Sequence, residues 1–166
     1  MTGQVGDLAY RARALAQAHP LSPMAKRFID RAVDGERLSQ PLPEIGTWAA
    51  GALLHGYCVR RVEEQDAGMA AGATYEEMDL DALDARAGAI AGDLRVGDPE
   101  PHMIGDPDAT FLALDHIIGT EVERRLDRWR DSVDDLAWAE LEEYITWWAV
   151  KGYALRVAES TQRATA

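Results

Sequence analysis

Two short runs in this chain hold residues of types that bind or catalyse. Residues 56–63 read Gly-Tyr-Cys-Val-Arg-Arg-Val-Glu, and residues 152–159 read Gly-Tyr-Ala-Leu-Arg-Val-Ala-Glu. Both fit Gly-Tyr-x-apolar-Arg-x-apolar-Glu, 96 positions apart. On a helix, Tyr57, Arg60 and Glu63 stand at i, i+3 and i+6, close to one face, and Tyr153, Arg156 and Glu159 repeat that placement. A guanidinium beside a phenol can hold a carboxylate or another anion through paired N–H bonds. With His55, one position before Gly56, the candidate ligand-binding set is His55, Tyr57, Arg60, Tyr153 and Arg156.

A packing role competes with that reading. Both arginines follow apolar residues, Val59 and Leu155, separated from them by nothing. A buried guanidinium without a partner is strongly destabilising. Each arginine is therefore expected to be at least half buried and paired with a carboxylate from another helix of its own half. Asp30 and Asp127 are the first choices. His55 has the equivalent bland role, a hydrogen-bonded histidine on an apolar helix.

Other chemistries find less in the sequence. Carboxylate-bridged metal bundles use Glu-x-x-His pairs; this chain has none, nor His-x-x-x-His, nor His-Glu-x-x-His. His19, His116, Asp115 and Glu121 remain, and the two histidines are expected at helix C-termini, where positive charge is favourable. No metal and no cofactor is expected. Cys58 lies inside an apolar stretch and reads as buried and inert. A Gly-x-Ser-x-Gly elbow, a P-loop and a dinucleotide-binding glycine motif are all missing from the sequence.

Composition narrows the partners. There are 29 acidic against 17 basic residues, for a net charge of −12. Such a chain lacks the cations whose phosphate contacts drive nucleic-acid binding, and an anionic membrane surface is disfavoured for the same reason. The longest apolar stretch, residues 48–54, is far short of the ~20 residues that span a bilayer. The first residues do not read as a signal peptide. A cytoplasmic protein is expected. Arginine far outnumbers lysine, present only as Lys26 and Lys151, which suggests a bacterial source with a GC-rich genome.

The elements that must position these side chains read as helices almost throughout. The pattern predicts an all-α bundle of about six main helices, near 5–18, 23–34, 47–64, 109–118, 121–131 and 133–159. Ser22-Pro23 is a start signal, and Gly35 is expected to close the second helix. Thr47 is expected to cap the third helix, whose first half is apolar nearly all round, the mark of a central element. Residues 65–107 read as a connector that holds a short Ala-rich helical segment after a Thr74 cap. Asp106-Pro107 or Asp108 starts the next helix, Gly119 interrupts, and Thr120 with Glu123 has capping-box spacing for a new one. Ser132 opens the last helix in the same way.

Internal similarity extends beyond the two runs. At a shift of 97, Arg27, Asp30, Arg31 and Asp34 match Arg124, Asp127, Arg128 and Asp131, and His19 and Leu15 match His116 and Leu112. The expectation is one domain over residues 1–166, built from a half at about 5–64 and a half at about 108–160. Residues 8–64 are expected to superpose on 105–160, with Gly56 and Gly152 allowing close helix approach. Trp129, Trp138 and Trp147 fall off the apolar stripes and suggest an interface. Together these features favour a non-enzymatic interaction or regulatory module, a homodimer or other homo-oligomer, or one that binds a basic protein partner. The alternative is a small-molecule- or metal-binding bundle, possibly an enzyme, with its site between the halves.

Overall fold

The computed structural model describes residues 2–18, 21–39, 44–68, 80–130 and 135–161. These residues form an all-helical assembly of six packed α-helices, with no strand among them. In chain order they are α1 (Thr2–Gln17), α2 (Pro23–Ser39), α3 (Glu44–Asp66), α4 (Leu80–Arg95), α5 (Pro107–Arg130) and α6 (Asp135–Thr161). A single 3-10 turn, Glu100–His102, lies between α4 and α5.

The most extensive helix contact is between α3 and α6. Around that pair, α1, α2 and α5 pack on α3, while α4 and α5 pack on α6. The composition of the two central helices explains their place. Ala49, Ala52, Leu53, Tyr57, Cys58, Val59 and Val62 of α3 are buried, as are Ile145, Trp148, Ala149, Val150, Ala154, Leu155, Val157 and Ala158 of α6. Surfaces this apolar over most of their length favour a central position, with exposed polar residues such as Asp66 of α3 and Glu140 and Glu143 of α6 near the helix ends.

Helix starts follow the local chemistry. The Ser22 Oγ accepts the Ala25 N–H at 3.0 Å, a side-chain cap ahead of Pro23. At α5 the Asp106 carboxylate accepts the Asp108 N–H at 3.1 Å, ahead of Pro107. Helix interruptions do not follow the glycines. α2 continues through Gly35 to Ser39, and α5 continues unbroken through Gly119 over 24 residues. A helical glycine costs about 1 kcal/mol. A break beside Gly119 would uncover Ile117 and Ile118, both buried, at roughly 1.5–3 kcal/mol each. Thr120 does not cap a new helix: its hydroxyl donates to the His116 carbonyl one turn back, at 2.9 Å. His116 accordingly sits inside a helix, not at its C-terminus.

The segment read as a connector contains a core helix. α4 buries Leu83, Ala87, Ile90, Ala91 and Leu94 and packs against α6. Its apolar face is made mostly of alanine and spaced isoleucine and leucine, a weaker signal than the tryptophan-rich stripes elsewhere. The count of six helices therefore holds with a different membership: α4 is one of them, and the two pieces expected at 109–118 and 121–131 are one. Matching 8–64 to 105–160 would set α1, a turn and α2 against the single α5, and the helix layout does not show that equivalence. Residues 40–43 with Pro41 and Pro43, the Thr74 cap, the Ser132 start and His19 lie outside the described residues. So do the side chains of Thr47, Glu121, Asp127, Trp129 and Trp138.

Candidate functional site at the contact between the central helices

Close approach comes first. A Cβ added at Gly56 would collide with the Ala149 carbonyl, and one added at Gly152 with the Leu53 carbonyl. The two glycines let each helix lie backbone-to-backbone against the other, and that spacing sets the reach of the polar groups one and two turns further on.

The geometry beyond the glycines is reciprocal. The Tyr57 hydroxyl of α3 donates to Glu159 Oε1 of α6 at 2.9 Å. The Tyr153 hydroxyl of α6 donates to Glu63 Oε1 of α3 at 2.5 Å. The Arg156 guanidinium carbon sits 5.7 Å from the Tyr57 ring centre, and that of Arg60 sits 5.6 Å from the Tyr153 ring centre. Both contacts lie within cation–π range. Arg60 is 2% exposed and Arg156 0%, so the burial expected of them is met.

Of the two carboxylates expected as their partners, Asp30 is not one, and the side chain of Asp127 lies outside the described residues. Glu64 is the shared counterion. It accepts from Arg156 Nη2 at 2.7 Å and Nε at 2.9 Å, and from Arg60 Nε at 3.3 Å. Arg156 Nη1 also donates to Glu159 at 3.1 Å. Arg60 Nη1 donates to the His102 carbonyl at 2.8 Å, which ties the 3-10 turn to the network, and to the Tyr153 hydroxyl at 3.3 Å. Asp30 is exposed and lines a cleft of about 510 Å³ with Lys26, Ile29 and Leu54. It is not an arginine partner: it is exposed in that cleft between α2 and α3, while the arginines bond within the α3–α6 seam.

Three buried carboxyls here face two guanidiniums. Burial pushes the Glu63 carboxyl above its ordinary value, against the hydrogen bonds from Thr110 and Tyr153 and the charge of Arg60. It also pushes up Glu159, against the pull of Tyr57 and Arg156. Among the described residues, Glu159 Oε2 is buried without a hydrogen-bond partner. The Tyr57 phenol is pushed up to about 12 by burial and the nearby Glu159 charge, and Tyr153 is raised for the same kinds of reason. For Arg156, burial works against the charge, but the bonds to Glu64 together with the nearby Tyr57, Glu64 and Glu159 charges raise it overall.

Of the five residues read as ligand-binding, four are brought together: Tyr57, Arg60, Tyr153 and Arg156. The fifth, His55, is separate; its Nδ1 lies 2.6 Å from the Gly51 carbonyl of its own helix. Glu64 and Thr110 were not in the candidate set. Glu64 stands one turn beyond Arg60, a recognisable ion-pair spacing, but Ser160 occupies the matching place in the second run, so the repeat hid it. Thr110 carried no sequence signal, being 47 positions from Glu63. Cys58 is buried, and burial pushes its thiol up to about 12, which disfavours the reactive thiolate. Trp147 is half-buried, with Arg95 and Lys151 stacked at 5.5 and 5.9 Å from its ring centre. Among the described residues no group of three or more His, Cys, Asp or Glu side chains converges in a way that could hold a metal ion. Nor, among them, is any helix long and apolar enough to cross a membrane. No protein-family model, curated protein or solved structure matches the chain.

Proposed function

We propose that this protein is a non-enzymatic helical interaction or regulatory module, acting as a homo-oligomer or through a protein partner. One observation carries the reading: the side chains best suited to hold a ligand hold one another. Tyr57, Arg60, Tyr153 and Arg156 are buried and bonded to Glu63, Glu64, Glu159 and the His102 carbonyl. What the molecule offers outward is apolar and acidic. Val96 is 90% exposed, and Tyr10, Ile104 and Leu112 are exposed as well. A net charge of −12 favours a basic protein as the heterologous partner. The lone cysteine, buried and unpaired, suits a reducing, cytoplasmic compartment. Sedimentation equilibrium at micromolar concentration tests the homo-oligomer: a dimer or larger species is expected, and V96E or L112E should weaken it. A monomer over that whole range would overturn the homo-oligomeric form. A small molecule released on denaturing the purified protein would favour the ligand-binding bundle instead.

We also propose that the chain is one domain made by duplication of a three-helix unit. The reciprocal contacts of residues 53–63 and 149–159 support this. So does the order of packing, in which the third helix of each unit is covered by the two before it. Superposition of α1–α3 on α4–α6 in a crystal structure should carry Tyr57 onto Tyr153 and Arg60 onto Arg156. Unrelated surroundings for the two arginines would refute common descent of the runs.

A further inference from the structure

Glu63 differs from the other two buried carboxyls. Among the described residues no cation lies within ion-pair distance of it. Among the described residues its bonds are to hydroxyls: Tyr153 from α6 on Oε1 and Thr110 from α5 on Oε2. Thr110 has a second acceptor in place. Its Oγ1 lies 3.3 Å from the Asp106 carbonyl in the first turn of α5, and Asp106 is the residue that caps that helix. Glu63 also borders a cleft of about 410 Å³, lined with Asp7, Asp66, Ile104, Gly105 and Ala109.

We propose that Glu63 is a proton-operated switch, loaded from this cleft and read out by the hydroxyl of Thr110 at the start of α5. In the ionised state Thr110 and Tyr153 both donate to the carboxylate. When a proton from solvent binds Oε2, the Thr110 oxygen accepts it, and the Thr110 hydrogen turns to the Asp106 carbonyl. Every donor has an acceptor in both states, so the change needs a hydroxyl rotation and no repacking. The proton is the only species gained or lost.

The charges around Glu63 bias the switch in known directions. From its own helix, Arg60 favours the carboxylate and Asp66 opposes it. Asp66, and Asp7 across the cleft, are both held by Arg11 of α1. From α6 comes the Tyr153 phenol. His102, whose carbonyl accepts from Arg60, has its Nε2 2.8 Å from the Asp93 carboxylate of α4. Burial is the largest influence and favours the neutral form, in agreement with a carboxyl that loads above the ordinary glutamate range.

Carbon-detected NMR titration of the Glu63 carboxyl in the full chain, alongside the Thr110 amide, tests this. The expected result is a Glu63 midpoint above the ordinary value of about 4.3, with the Thr110 amide shifting at the same midpoint. T110V should move the Glu63 midpoint further up, because a hydroxyl bonds a carboxylate more strongly than a neutral acid. E63Q should abolish the Thr110 shift. If E63Q does not fold, the wild-type titration and T110V still decide. A Glu63 midpoint at or below the ordinary value would overturn the proposal. So would a raised midpoint that Thr110 does not follow, or a T110V midpoint that does not rise.

Discussion

At Glu64 one carboxylate serves two buried guanidiniums, so its removal leaves both without their shared counterion. Among the described residues, Arg156 would keep Glu159, and Arg60 would keep the His102 carbonyl and the Tyr153 phenol. Breaking a buried ion network from one side typically costs about 3–5 kcal/mol. E64A should therefore lower the stability by that amount in urea unfolding, whereas D30A, at an exposed site, should stay within about 0.5 kcal/mol of wild type. Equal effects of the two would mean that Glu64 is not the counterion. The pH dependence follows from Glu159. Its folded-state pKa is raised above the ordinary glutamate value, chiefly by burial. The folded protein thus binds the proton more tightly than the unfolded chain does. The stability this contributes is fully present below the unfolded pKa and is lost as pH rises through the folded pKa. Urea midpoints for wild type and E159Q, measured across acid to neutral pH, should show wild type losing stability relative to the variant as pH increases. A gap that stays constant or runs the other way would contradict a raised Glu159.

At the scale of the elements, the crossing of α3 and α6 depends on two atoms that are not there. Gly56 and Gly152 have neighbouring backbone where a Cβ would lie, and backbone cannot swing aside as a side chain can. G56A and G152A should each force the helices apart and cost about 3 kcal/mol or more. Gly92 of α4 provides the control, since a Cβ there meets nothing within 4 Å. G92A should raise stability by about 0.5–1 kcal/mol through helix propensity alone. Thermal unfolding of the three variants separates the cases: destabilisation by G92A equal to that by G56A would show that spacing at the seam is not the cause.

For the whole molecule, the placement of α3 and α6 makes the two ends of the chain interdependent. Every other helix leans on one or both of them, and the described buried network crosses between them at Tyr57 with Glu159, Tyr153 with Glu63, Arg60 with Tyr153, and Arg156 with Glu64. Neither central helix can lose its partner without exposing buried charge. Unfolding should then be a single cooperative transition, with circular dichroism and tryptophan fluorescence coincident. Two separated transitions, one for each half, would show that the seam is not the organising contact.

Much of this was legible along the chain. The apolar girth of residues 48–54 placed α3 at the centre, Ser22-Pro23 and Asp106-Pro107 marked helix starts, and Arg60 and Arg156 on apolar helices had to be buried and paired. Each of those inferences uses residues within one or two turns of each other, where local geometry is set by local chemistry. Helix breaks expected at Gly35 and Gly119 do not occur: a glycine's cost in a helix is small, and at Gly119 it is outweighed by the burial of Ile117 and Ile118. α4 looked like a linker because its alanine-rich face becomes a core face only against α6. Glu64 as the shared counterion, Thr110 as the partner of Glu63 and the idle Asp30 were decided by tertiary structure alone. A charge finds its partner by which helix faces lie together in space, and that depends on how all six helices pack.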